Sequence, residues 1–60
     1  MFTLEGYLGN TWLSCDEWRN KKTIEEAREL FFKANKFFLC PVRIIDSESR
    51  NIVEEWNKDF

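Results

Sequence analysis

A chain of 60 residues has room for one domain, spanning 1–60, and one so small leaves much of its surface unburied, which makes stabilisation by a partner or a second copy an expectation. Six Phe, three Trp and one Tyr within a 43% hydrophobic composition exclude a disordered chain, because that much apolar surface offsets the entropy of folding. A net charge of −2 with acids and bases interspersed excludes the strong basic field on which nonspecific nucleic-acid binding depends.

At the start of the chain, Met1-Phe2-Thr3-Leu4-Glu5 lacks the basic opening and apolar run of a secretory signal, so a cytoplasmic location is expected. From Phe2 to Trp18 the residues alternate about Gly9-Asn10, the chemistry of a two-residue hairpin turn with positive φ. That turn opposes Leu8 to Thr11, Tyr7 to Trp12, Gly6 to Leu13 and Leu4 to Cys15. Parity then predicts Leu4, Leu8, Leu13 and Cys15 on a core-facing side, and Tyr7, Trp12 and Trp18 on the other.

The polar stretch Arg19-Asn20-Lys21-Lys22 reads as a connection into a helix. Thr23 and Glu26 have capping-box spacing, and Ile24, Ala27, Leu30, Phe31 and Ala34 fall on one stripe at 3.6 residues per turn. Phe32 falls far from that stripe and is expected to be exposed or to belong to an interface. The helix is expected to end near Asn35 or Lys36, where lysines suit the negative end of the dipole.

Alternation resumes from Leu39 to Asp46, turning Cys40, Val42 and Ile44 toward the helix, with Pro41 either on an edge strand or near a strand start. The run from Phe37 to Val42 is far shorter than the roughly 20 apolar residues that span a bilayer, so no membrane partner is expected. With Ser47 to Arg50 as a loop, a second hairpin opposes Ile44 to Val53 on the helix side, and Arg43 to Glu54 and Ile45 to Ile52 on the far side. Together these elements predict an α+β domain: a ββαββ chain whose four-stranded antiparallel sheet has the order 2-1-3-4, with one helix packed on one face.

Pro41-Val42-Arg43-Ile44-Ile45-Asp46, a short polar turn and Ile52-Val53-Glu54-Glu55-Trp56, after a helix opening Thr23-Ile24-Glu25-Glu26-Ala27, resemble small bacteriophage-encoded accessory proteins with a two-hairpin, one-helix fold. The resemblance covers most of the chain. Such proteins usually carry Gly in the second turn, where this chain has Arg50. The resemblance implies a stoichiometric inhibitor acting on host or defence machinery in the host cytoplasm, and it implies no catalytic residues.

The residues themselves argue against an enzyme. There is no histidine, and the neighbouring acids at Asp16-Glu17, Glu25-Glu26 and Glu54-Glu55 read as solvated surface. Cys15 and Cys40 read as free thiols packed as small apolar groups, and without histidine they fall short of a zinc set unless two carboxylates or a second chain complete it, so neither a metal nor a cofactor is expected. Tyr7, Trp12, Trp18, Ile45, Ile52 and Trp56 are predicted to share the uncovered sheet face and, with Phe32, to form an interface for a second copy or a target. Trp18, Arg19, Lys21 and Lys22 at the helix N-terminus, with Arg43, are a candidate anion or nucleotide site. The leading expectation is a small non-enzymatic binding protein, a homodimer, that occupies a host or defence protein. One alternative is a homodimeric protein that sequesters a nucleotide-type signal; another is a single-strand nucleic-acid binder, which the acidic balance disfavours.

Overall fold

Gly9 and Asn10 both take positive φ, 57° and 67°, so the first turn closes with two residues and sets the pairing of the strands it joins. This computed structural model describes residues 1–37 and 40–56, with the backbone alone at 37 and 56. Strand β1 (Phe2–Leu8) pairs antiparallel with β2 (Thr11–Leu13) in the expected register, Gly6 opposite Leu13, Tyr7 opposite Trp12 and Leu8 opposite Thr11. The expected pairing of Leu4 with Cys15 does not form, because β2 stops at Leu13 and Ser14 instead donates its hydroxyl to the Leu4 carbonyl at 2.7 Å. A single 3₁₀ turn, Asp16–Trp18, follows, and the chain then returns to β1, where Phe2 and Lys21 exchange backbone hydrogen bonds of 2.8 and 2.6 Å.

Helix α1 (Ile24–Phe37) begins with the Thr23 half of the expected capping box, the Glu26 amide donating to the Thr23 hydroxyl at 3.2 Å, and runs slightly beyond its expected end. Its stripe is the expected one. Ala27, Phe31 and Ala34 are buried with Leu4, Val42 and Ile44, and Ile24 and Leu30 pack at the flanks, while Phe32 is 62% exposed. No helix among the described residues is long and apolar enough to cross a membrane.

Strands β3 (Val42–Asp46) and β4 (Ile52–Trp56) complete a four-stranded antiparallel sheet in the order β2-β1-β3-β4, the topology expected from the chain. Pro41 stands just before β3, so its missing N–H removes no ladder bond, and its carbonyl accepts the Tyr7 amide at 2.9 Å. Leu39, the expected start of this strand, lies outside the described residues.

The second hairpin departs from expectation. Ile45 opposes Ile52 as predicted, but Val53 is an extra residue that shifts the ladder, so Ile44 opposes Glu54, Arg43 opposes Glu55 and Val42 opposes Trp56. A bulge reverses parity beyond it. The expected pairs Ile44 with Val53 and Arg43 with Glu54 are therefore replaced: Glu54 shares the helix side and accepts from Arg28 Nε at 2.8 Å, tying helix to edge strand.

The turn before β4 is held by Asp46, whose carboxylate accepts the Glu48 and Ser49 amides at 2.9 and 3.2 Å. These two bonds hold its pKa below the ordinary aspartate value of 3.8. Arg50 closes the turn at φ 66°, a left-handed conformation costing a side-chain-bearing residue about 1 kcal/mol.

Truncating Ile44 to Ala, in the closed core beneath the helix, is expected to cost about 2 to 5 kcal/mol, whereas Phe32→Ser stays within about 0.5 kcal/mol. Urea midpoints for the two variants measure the contrast. Because the folded-state pKa of Asp46 is depressed, its contribution to stability is complete above the unfolded value and lost as pH falls through the folded one. In urea titrations at successively lower pH, Asp46→Asn should therefore show a smaller acid-induced loss than the wild type; an identical loss would mean that the turn is not held by the charge.

Candidate functional site

On the sheet face away from the helix, β1 presents Thr3, Glu5 and Tyr7, each opposite a residue of β2 or β3 that shares its face. Glu5 is the unusual member, a buried acid on a strand. Arg43, directly opposite it on β3, answers that charge with Nε and a terminal nitrogen at 2.8 and 2.7 Å from the same carboxylate oxygen. The second oxygen lies 3.7 Å from Arg50. Arg43 also places its guanidinium carbon 3.9 Å from the centroid of the Trp12 ring, and Tyr7 tilts against that ring at 5.1 Å. Acid, guanidinium and two aromatic rings thus form one connected column across β1, β2 and β3.

Beside the column is a polar cleft of about 400 Å³. Its walls come from four segments: β1, the end of β2 with Trp12, Leu13 and the following Ser14, the return loop carrying Arg19 and Asn20, and the second turn carrying Ser47 and Arg50. The Thr3 hydroxyl joins them, lying 2.7 Å from the Ser47 hydroxyl and accepting the Asn20 amide at 3.1 Å.

On the helix side the sheet is incompletely covered. The helix lies across β1 and β3, so Leu8 and Leu13, at the hairpin end, remain 52% and 51% exposed, and Cys15 is exposed as well. These three were expected in the core, and their side of the sheet is right for Leu8 and Leu13, but the helix does not extend over them. They border an apolar groove of about 200 Å³ that also takes in Gly6, Trp18 and Cys40. Cys40 is half-buried, and both thiols are free.

The predicted interface is accordingly divided. Tyr7 and Trp12 share the far face as expected. Ile45 shares it by register but is only 1% exposed, and its strand partner Thr3 is roofed by the two loops, so Ile45 is unavailable to a partner. Ile52 is half exposed. Trp18 lies on the opposite side from its predicted position: the 3₁₀ turn breaks the alternation and carries the indole onto the helix-side core, where it lies 3.5 Å from the point a Gly6 Cβ would occupy. Trp56 opposes Val42 rather than continuing the far face, a consequence of the Val53 bulge, and its side chain lies outside the described residues. Phe32 stands apart on the outer helix, edge-on to Phe31.

Nor does the predicted anion group assemble at the helix N-terminus. Trp18 is in the core packing, Lys21 is pinned to Phe2 through its backbone, Lys22 is exposed, and Arg43 is engaged by Glu5 and Trp12. Arg19 enters the far-face cleft instead, joined there by Glu5 and Arg50, which sequence reasoning did not select. The signal for Arg50 was present: a non-glycine residue in a turn position that usually takes glycine.

Comparison with protein-family models, curated proteins and solved structures finds no match to this chain.

Removing Arg43 leaves a buried carboxylate without its close partner, so Arg43→Ala is expected to cost about 3 kcal/mol, while Arg50→Ala, which removes a long and exposed contact, costs under about 1 kcal/mol. A double-mutant cycle in urea with Glu5→Ala should recover much of the Arg43 loss. Equal costs for the two arginines would show that Arg43 does not anchor this face.

Proposed function

We propose that this protein is a small non-enzymatic binding protein that acts stoichiometrically, seating an apolar segment of a host or defence-system protein in the helix-side groove. The observation that carries this reading is the pair Leu8 and Leu13, two large aliphatic side chains about half exposed at the rim of an apolar groove whose floor includes Trp18. Isolated exposed leucines are ordinary, but two flanking a concave apolar surface on so small a domain form a docking feature. Tryptophan at the floor supplies the kind of anchor around which binding energy concentrates.

The resemblance to small bacteriophage accessory proteins supports the same reading and supplies the partner class, host or defence machinery met in the cytoplasm. Absence of histidine and use of the buried acid in an ion pair favour binding over catalysis. A homodimer through the same groove is the competing occupant. The single-strand nucleic-acid reading is weaker, because a net charge of −2 supplies no basic track for a nucleic-acid backbone.

The test is capture from a bacterial lysate by the wild type and by Leu8→Ser with Leu13→Ser, with solution mass measured by light scattering. The double variant is expected to keep its helical circular dichroism and to lose a specific captured protein, with affinity reduced at least about tenfold by the loss of two apolar contacts. Undiminished capture by a folded double variant would overturn the groove as the docking surface.

A further inference from the structure

The far-face cleft opens on the other side of the sheet from the proposed protein-docking groove, with Leu13 and Ser14 bordering both. From its chemistry we infer that it is a binding site for a small nucleotide, with the phosphates held between Arg19 and Arg50 and the base against Trp12.

The volume is suitable: about 400 Å³ lies within the range of small-ligand sites. The charge is suitable as well. Glu5 would repel an anion if it stood alone, but both close contacts from Arg43 fall on one of its oxygens, at 2.7 and 2.8 Å, and neutralise it. Arg50, 3.7 Å from the other oxygen and 69% exposed, is therefore only loosely engaged. Arg19 is similar, with its ion-pair partner Asp16 at 3.3 Å almost wholly in solvent. Two guanidinium groups with weak commitments thus border one concave surface on a protein that is acidic overall. Planar guanidinium forks match phosphate oxygens, and an exposed pair to a carboxylate is readily exchanged for them.

Trp12 supplies the second half of the recognition. Arg43 and Tyr7 hold its ring in place, at 3.9 and 5.1 Å, so the part of it that borders the cleft is a fixed aromatic wall and loses little freedom when a planar group packs against it. A ligand with both anionic and flat aromatic parts fits this arrangement better than inorganic phosphate alone.

Arg50 adds an independent observation. It holds a left-handed backbone conformation, φ 66°, in which glycine would be unstrained, and its long contact to Glu5 is a poor structural return for that strain. That strained position places its guanidinium at the border of the cleft.

The experiment uses the full chain, titrated by calorimetry with ADP, GDP and UDP, with inorganic pyrophosphate, and with a 5′-phosphorylated oligothymidylate. Saturable binding of at least one nucleoside diphosphate, more tightly than pyrophosphate and weakening as NaCl is raised, is the expected result. Arg50→Gly should weaken that binding about tenfold or more without lowering the urea midpoint, since it removes a charged contact while relieving the turn. Arg19→Ala should weaken it similarly, and Trp12→Leu should abolish the preference over pyrophosphate. Absence of nucleotide binding at millimolar concentration, or binding unchanged in both arginine variants, would overturn the site. Pyrophosphate bound as tightly as the nucleotides would overturn the role of Trp12, and binding of the oligonucleotide alone would overturn the assignment to a small ligand. Leu8 lines the docking groove and not this cleft, whereas Leu13 borders both, so Leu8→Ser alone separates the two tests: it should leave nucleotide binding unchanged, and failure here leaves the docking groove to its own test.

Discussion

A carboxylate buried on an open sheet face needs a cation, and Glu5 has one within hydrogen-bonding distance, on the strand next to its own. Much of the far face follows from that requirement. Arg43 must stand opposite Glu5, which is compatible with one register of β1 against β3 and not with its neighbours one residue away. The same guanidinium packs on Trp12, so β2, although only three residues long, is joined to β3 through side chains across the central strand. The burial that makes Glu5 costly alone makes the paired arrangement specific.

The other face is governed by how much sheet one helix can cover. Fourteen helical residues span about 21 Å, and they lie over Leu4, Val42 and Ile44. Coverage ends before Leu8 and Leu13, and the gap is only partly filled by Trp18, returned to the core by its 3₁₀ turn. The groove is thus a consequence of small size. With a single helix, this four-stranded sheet keeps part of its helix side uncovered, at Leu8 and Leu13.

The two faces differ in kind. One offers aliphatic edges around an indole; the other offers guanidinium groups, hydroxyls and a braced aromatic ring. They meet at the end of β2, where Leu13 and Ser14 border both, while the guanidinium groups stay on the far side of the sheet from the apolar groove. The central strand serves both, with Leu4 and Gly6 facing the helix side and Thr3 and Glu5 facing the cleft.

By itself, the sequence determined everything that depends on local periodicity and turn chemistry. Gly9-Asn10 implied the hairpin and thereby the opposition of Tyr7 and Trp12; Thr23 marked the helix start; the stripe through Ala27, Phe31 and Ala34 chose its buried face; and the order of elements dictated the sheet order. Tertiary structure decided where periodicity breaks or where covering depends on distant segments. One extra residue at Val53 and one 3₁₀ turn before Arg19 reversed parity, moving Glu54 to the helix side and Trp18 into the core packing, because a two-residue repeat carries no memory across an insertion. Ile45 became buried and Leu8 exposed for a different reason: burial is set by which loop or helix lies above a residue, and the meeting of the Asn20 and Ser47 loops over Thr3 is a contact between positions far apart in the chain. The cleft gathers Glu5, Arg19 and Arg50 by that same meeting, so its residues were visible singly in the sequence and became a site only through the fold.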